Sequence, residues 1–168
     1  MSDATRLVVV CGLLGAGKTT VAEAVTDRVD ATMIRTDIVR KDLFSDPEYT
    51  SDESQRTYDA VFDRASSTLA DGTSLVLDRT FRHAARRDRA RSVAAGAAGA
   101  DAPLDLLRVA CDEPTTKTRI GSREGDASDA DVAVYDLLSE EFEPIDDPLV
   151  VDNSGDLDAT LARVRELF

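Results

Sequence analysis

With 168 residues and 42% hydrophobic side chains, the chain suits one compact domain, 1–168, with a real core, and no stretch reaches the ~20 apolar residues of a membrane span. Two cysteines exclude a disulfide framework, and neither has a zinc-ligand companion, His83 being the only histidine. The opening residues Met1 to Arg6 lack the basic-then-apolar order of a signal peptide, so a cytoplasmic location and buried free thiols at Cys11 and Cys111 are expected.

Leu7 to Cys11 is an uninterrupted apolar run, β-branched at Val8, Val9 and Val10, as expected of a strand buried on both faces in a parallel sheet. Gly12-Leu13-Leu14-Gly15-Ala16-Gly17-Lys18-Thr19 follows and fits G-x-x-x-x-G-K-[ST], the phosphate-binding P-loop, with Thr20 continuing into a helix. Glycines let successive N–H groups turn inward at the positive end of that helix. Lys18 is placed for the β- and γ-phosphates of a nucleotide, and the Thr19 hydroxyl for Mg²⁺. A glycine-rich turn ending in Lys-Thr by chance would not need a strand before it and a helix after it.

Val21, Ala24, Val25 and Val29 recur at helical spacing and should pack the first helix onto the sheet. A second strand spans Ala31 to Arg35, after which Thr36-Asp37 is expected to cap a helix through Ile38, Val39 and Leu43. Asp46-Pro47-Glu48 breaks that helix. A longer one, from about Asp52 to Ala70, shows Tyr58, Val61, Phe62, Ala65 and Leu69 on one face and closes at Asp71-Gly72. Thr73 to Leu77 is a third strand ending in Asp78, the form of a Walker B element whose carboxylate holds Mg²⁺ or its water.

Residues 79–91 concentrate Arg79, Arg82, Arg86, Arg87, Arg89 and Arg91 in an otherwise acidic chain. Arg79, Arg82, Arg86 and Arg89 follow three- and four-residue steps and would line one side of a helix. Such a stripe could face an anion, either a phosphorylated acceptor or a nucleic-acid backbone. Charged helix faces are usually solvated, so pairing with aspartates such as Asp88 is the preferred reading for most of it, while Arg79 and Arg82 lie close to a strand end where ligands sit.

Ala94 to Ala102 is a helix end and linker; Leu104 to Cys111 is a fourth strand, and Asp112-Glu113-Pro114 starts a helix carrying Arg119 and Arg123 one turn apart. Ser128 with Asp131 has the form of a capping box before a helix burying Val132, Tyr135, Leu138 and Phe142. Pro144 and Pro148 bracket a loop, Leu149 to Val151 is a fifth strand, and Asp152 to Gly155 precedes a last helix with Leu157, Leu161, Val164 and Phe168 on one stripe. Strands alternating with helices imply an open parallel α/β sheet, whose ligands bind beyond the strands' carboxyl ends. That edge gathers the P-loop, Asp37, Asp78, Cys111 and the 152–155 loop.

These segments together resemble the small P-loop kinases, in particular the AAA-type predicted ATP-binding kinases that also occur fused to aminoglycoside-phosphotransferase-like domains. The residues concerned are Gly12 to Thr20, Thr36-Asp-Ile-Val-Arg-Lys-Asp-Leu43, Leu75-Val-Leu-Asp-Arg-Thr-Phe81 and Gly125-Asp-Ala-Ser-Asp-Ala-Asp131. Polynucleotide 5′-hydroxyl kinases, chloramphenicol phosphotransferases, gluconate kinases and zeta toxins are similar at greater distance. The resemblance implies a three-layer P-loop NTPase fold, a five-stranded parallel sheet in the order 2-3-1-4-5, and a short helical lid at about 114–130 over ATP.

Carried over, Lys18 and Thr19 match the phosphate and Mg²⁺ positions, with Asp78 beside the metal. Asp37 matches a carboxylate that orients or deprotonates the acceptor hydroxyl, and Arg40 an arginine that holds the acceptor. Arg119 and Arg123 are similar to lid arginines, one against adenine and one reaching the phosphates; the 152–155 loop, with Asn153, falls where relatives bracket the adenine. Leu14 stands where many relatives have proline. The net charge of −13, rich in aspartate, with lysine only at Lys18, Lys41 and Lys117, is similar to that of proteins of salt-loving organisms.

The expected function is therefore a Mg²⁺- and ATP-dependent kinase acting on a hydroxyl of an unidentified small molecule, without a membrane partner. A nucleic-acid 5′-hydroxyl kinase is the first alternative, disfavoured because aromatics are 5% of the chain and tryptophan is absent, leaving few stacking platforms. A regulatory ATPase without a dedicated acceptor is the second, and it has no need of Asp37 and Arg40.

Overall fold

Leu7–Cys11 form strand β1, and all five side chains are buried. Side chains alternate across a strand, so Leu7, Val9 and Cys11 enter one core while Val8 and Val10 enter another on the opposite face. In this computed structural model, which describes residues 4–13, 15–98, 103–121 and 132–168, β1 is the centre of a parallel sheet. The other strands are β2 (Thr32–Arg35), β3 (Leu75–Asp78), β4 (Leu104–Ala110) and β5 (Leu149–Asp152). Their order is β2-β3-β1-β4-β5, as expected, and every neighbouring pair runs parallel.

The connecting helices are α1 (Lys18–Arg28), α2 (Thr36–Leu43), α3 (Ser51–Ala70), α4 (Ala84–Ala98), α5 (Glu113–Gly121), α6 (Val132–Glu141) and α7 (Leu157–Leu167). α1 covers one face with Val21, Ala22 and Val25, joined there by Val164 of α7. α3 and α4 cover the other, α3 burying the expected Tyr58, Val61, Phe62, Ala65 and Leu69. The Thr50 hydroxyl accepts from the Glu53 amide and caps α3.

Several expectations require correction. Thr36 and Asp37 do not cap α2: they are its first two residues, the cap position is Arg35 in extended conformation, and no side chain closes the end. Arg79 and Arg82 precede α4 and so do not share a helical stripe with Arg86 and Arg89. Leu157 is exposed, because α7 turns Thr160 and Val164 inward instead. Cys11 is buried, but Cys111 is only half-buried. The capping box at Ser128 and Asp131, and most of the expected lid, lie outside the described residues.

Phe81 explains why the helical stripe starts late. Its backbone takes φ 46°, a left-handed conformation that costs a non-glycine residue about 1–3 kcal/mol. The ring is fully buried and meets Tyr58 (5.7 Å) and Phe62 (6.4 Å) edge-on, which offsets that cost. Arg87, 3% exposed, then donates to the Phe81 carbonyl at 2.6 Å, to Glu143 at 3.0 Å and to Pro144 at 2.8 Å, fastening α4 to the 142–148 loop.

Hydrogen bonds from a charged donor contribute about 1.5–3 kcal/mol each, and losing this donor strands three carbonyl oxygens together. Arg87→Ala is expected to lower unfolding free energy by about 3 kcal/mol in urea titrations. Arg91→Ala, which removes only an exposed pair with Asp88, should cost below about 0.5 kcal/mol.

Candidate active site

β1 delivers the chain to a loop that only particular residues can follow. Gly12 has φ 152° and a Cβ there would lie 2.7 Å from the Val109 carbonyl oxygen; at Gly17, φ 85°, a Cβ would lie 2.1 Å from Asn153 Nδ2. A side chain at either position would displace the loop, so the glycines permit its close approach to β4 and to Asn153. Leu13 is half-buried, Gly15 and Ala16 are buried, and Thr20 is exposed on the first turn of α1; Leu14 lies outside the described residues. Lys18 opens α1, and its ammonium donates to the Leu13 carbonyl at 2.9 Å, curling back over the loop. Loop and helix thus follow β1 in the strand–loop–helix order that the motif anticipates.

The end of β3 stands beside this loop. Thr19 donates its hydroxyl to Asp78 at 2.8 Å, and Arg35 Nε lies 3.7 Å from the same carboxylate oxygen. Burial is the largest influence on Asp78 and pushes its carboxyl above the usual range; Lys18, Thr19 and Arg35 act in the opposite direction, while Asp37 adds to the rise. The Thr19 and Asp78 oxygens are the hard donor type that Mg²⁺ takes. Arg35 Nε, Thr36 Oγ1 and Arg79 Nε, buried around these strand ends, have no hydrogen-bond partner, and neither does Arg40 Nε farther along α2.

Asp37, 29% exposed on the first turn of α2, is ion-paired to Arg79, the residue after Asp78. Arg40 sits elsewhere. Its side chain is 2% exposed, with the guanidinium donating to Glu53 at 3.2 Å and Ser54 at 3.0 Å and lying over the Tyr49 ring at 5.0 Å. Glu53 also accepts the Glu48 and Tyr49 amides at 2.9 and 2.8 Å. Arg40 thus fastens the 44–50 loop to α3, and the expectation of an arginine open to an acceptor is corrected by these partners.

Asn153 is likewise engaged. Its Nδ2 donates to the Ala16 carbonyl, its Oδ1 accepts from Thr160, both at 2.8 Å, and the residue is 7% exposed. The side chain expected to bracket adenine braces the P-loop instead. Arg119 donates to the Asn153 carbonyl at 2.8 Å and reaches Cys111 Sγ at 3.4 Å, beside Gly17. Arg123 lies outside the described residues. Burial pushes the Cys11 thiol up to about 12, so it is a protonated core side chain and not a nucleophile. Arg35 and Thr160 were missed as neighbours of the site, whereas Arg79 was signalled by its position next to Asp78.

The AAA domain family matches residues 7–145. No curated protein shows significant sequence similarity to the chain. Among solved structures, a sugar kinase from Janibacter sp. HTCC2649 is similar with TM-score 0.73 and 20% identity, covering 96% of this chain and 93% of that one. A gluconokinase from Sinorhizobium meliloti 1021 gives 0.69 and 21%, covering 99% and 95%. The Mycobacterium tuberculosis APS kinase CysC, in complex with AMPPNP and APS, gives 0.71 and 17%, covering 99% and 98%. These likenesses show the fold, that of the P-loop NTPases.

Two variants separate the stability and binding roles of the site. A raised carboxyl pKa means that the folded state binds protons more readily than the unfolded one, so stability falls as pH rises from 3.8 through the folded value. Asp78→Asn should therefore raise the thermal midpoint at pH 7 and remove Mg²⁺-dependent nucleotide affinity, measured by calorimetry. Asn153→Ala strands the Ala16 carbonyl and the Thr160 hydroxyl; it should cost about 1–3 kcal/mol in urea and weaken nucleotide binding together.

Proposed function

Since this chain belongs to the AAA domain family, we propose that it is a kinase transferring the γ-phosphate of ATP to a hydroxyl group of a small molecule. The observation that carries this reading is a second carboxylate, Asp37, at the same sheet edge as Lys18, Thr19 and Asp78. A site that only held or hydrolysed a nucleotide needs no such group.

The P-loop amides and Lys18 hold the phosphates, and Thr19 with Asp78 would hold Mg²⁺, which when bound neutralises phosphate charge. Gly12 to Thr20 would form the phosphate cradle, while Arg119 of α5, beside Gly17, and Arg123 would cover the nucleotide. The acceptor oxygen attacks the γ-phosphorus, the bond to the β–γ bridging oxygen breaks, and ADP leaves with those electrons. Asp37 orients the hydroxyl and takes its proton. Because the transition state is loose, alignment contributes more than basicity. Arg40 acts as a positioning residue: by clamping Glu53 and Ser54 it sets the angle at which α2 presents Asp37.

Asp37→Ala is expected to reduce phosphoryl transfer by about 10²–10⁴-fold while ATP affinity, read by calorimetry, changes little. Equal loss of both would overturn the acceptor role. ATP turnover in wild-type protein, unaffected by nucleosides, sugars, antibiotics and a 5′-hydroxyl oligonucleotide, would favour the regulatory ATPase. Rapid labelling of the oligonucleotide would favour the nucleic-acid kinase.

A further inference from the structure

Side chains along a strand alternate between the two faces of a sheet, and residues in register on neighbouring strands share a face. Val76 of β3 enters the core that α1 covers and Leu77 enters the opposite one, so Asp78 stands on the α1 face. β2 repeats the pattern. Met33 packs against the α1 core and Ile34 against the other, which puts Arg35, in register with Asp78, on the α1 face as well. Lys18 and Thr19 open α1 on that same face. Distances agree with the placement: Thr19 Oγ1, at 2.8 Å, and Arg35 Nε, at 3.7 Å, converge on one carboxylate oxygen, Asp78 Oδ2. The Arg35 guanidinium thus borders the space that the Thr19 hydroxyl faces.

Its donors are uncommitted. At 3.7 Å, Nε is too far from Asp78 for a hydrogen bond, and it is buried without a partner. The terminal nitrogens make no hydrogen bond among the described residues either, while the side chain keeps 26% of its surface open. Other arginines at this sheet edge are held: Arg79 by Asp37, Arg40 by Glu53 and Ser54, and Arg119 by the Asn153 carbonyl. A loose ion pair with Asp78 accounts for where Arg35 lies and leaves its planar fork of N–H groups unanswered. Such a fork is matched by two oxygens of a phosphate. Thr19 and Asp78 are read above as the Mg²⁺ donors, and an ion at such donors bridges the β- and γ-phosphates, so the terminal phosphate is the part of a nucleotide that comes nearest to Arg35.

We propose that Arg35 is a catalytic residue, donating its N–H groups to the oxygens of the phosphoryl group in transfer. This role rests on the kinase reading and adds to it a cation that the sheet supplies, beside those of the P-loop and α5. Arg35 forms no covalent bond and gives up no proton. The acceptor oxygen takes the phosphoryl group, the electron pair of the breaking bond leaves with ADP, and Asp37 takes the acceptor's proton. Charge gathers on the equatorial oxygens of the loose transition state, so hydrogen bonds from a guanidinium already in place strengthen there more than in the ground state. A strand position holds that guanidinium ready before the nucleotide arrives.

The test uses the full chain with Mg²⁺ and takes aluminium fluoride, beside ADP, as the probe of the transferring group. Calorimetry reads ADP affinity with and without the fluoride. Transition-state analogues bind at least about 10²-fold more tightly than ground-state ligands, and a gain of that order is expected in the wild type. Arg35→Gln should keep ADP affinity within about threefold and lose most of the gain, with ATP turnover lower by about 10³-fold. Arg35→Lys keeps a charge beside Asp78 without the planar fork; it should melt as the wild type does and lose about tenfold of the gain. Arg91→Gln should match the wild type throughout. An Arg35→Gln protein with its gain intact would overturn the phosphate contact and leave the kinase reading standing. Equal loss of ADP affinity with and without the fluoride would overturn it too, since a residue that only holds Asp78 produces that result. If the Gln variant does not fold, an undiminished gain in Arg35→Lys would decide against the contact. A gain that depends on Arg35, in a protein that passes phosphate to water and to no alcohol, would sustain the catalytic role and overturn the kinase reading.

Discussion

Asp78 is a carboxylate held out of water, and the arrangement of the strand ends follows from the need to compensate it. Sheet register supplies the means. Asp78 pairs with Val10 of β1 on one side and with Arg35 of β2 on the other, so the carboxyl ends of three strands arrive side by side. Thr19 then reaches across from the first turn of α1 to donate its hydroxyl, and Lys18 adds its charge. A one-residue slip of β3 would turn Asp78 to the opposite face of the sheet and break all three relations at once. The uninterrupted burial of β1 prevents that slip, because its alternating side chains are fixed by a core on each face.

What was legible in the sequence is what local chemistry determines. The P-loop is a contiguous string whose glycines serve backbone geometry, whereas the strand order came only with the resemblance to the P-loop kinases. The buried face of α3 was legible because five apolar residues recur at helical spacing. Asp78 was legible only because an apolar strand ends there downstream of a P-loop. The roles of Arg40 and Asn153 were not, since their partners are distant along the chain: Glu53 lies 13 residues from Arg40, and the Ala16 carbonyl 137 residues from Asn153. Spacing reports which residues share a helix face and is silent on which loop will occupy the guanidinium or the amide. The stripe over 79–91 failed for a related reason. Its periodicity is helical, but Phe81 adopts a left-handed backbone that propensity disfavours, and the gain from burying its ring against Tyr58 and Phe62 is a tertiary quantity.

The acidic composition takes on a different meaning in three dimensions. Exposed pairs such as Arg91 with Asp88 contribute little to stability. What they do is fix direction: Arg82, Arg89 and Arg91 are each held toward one carboxylate, of Glu141, Asp59 and Asp88, even where the pairing adds little energy.

At the opposite end of the crevice, Asn153 joins elements that would otherwise move separately. Its amide nitrogen side supports the P-loop at Ala16, its amide oxygen takes the Thr160 hydroxyl of α7, and its backbone carbonyl receives Arg119 from α5. Any displacement of the P-loop on filling with phosphate therefore acts on one residue that α5 and α7 both hold. Arg119 is the adjustable member, because its bond is to a carbonyl at the end of a long side chain and can be exchanged for a phosphate oxygen without unpacking the core. The amide contacts are buried and cannot be exchanged without stranding a carbonyl. The brace consequently keeps the cradle fixed while the arginine beside it remains free to change partner, which is the division of labour a phosphate site needs if it is to be rigid before the nucleotide arrives and closed after it.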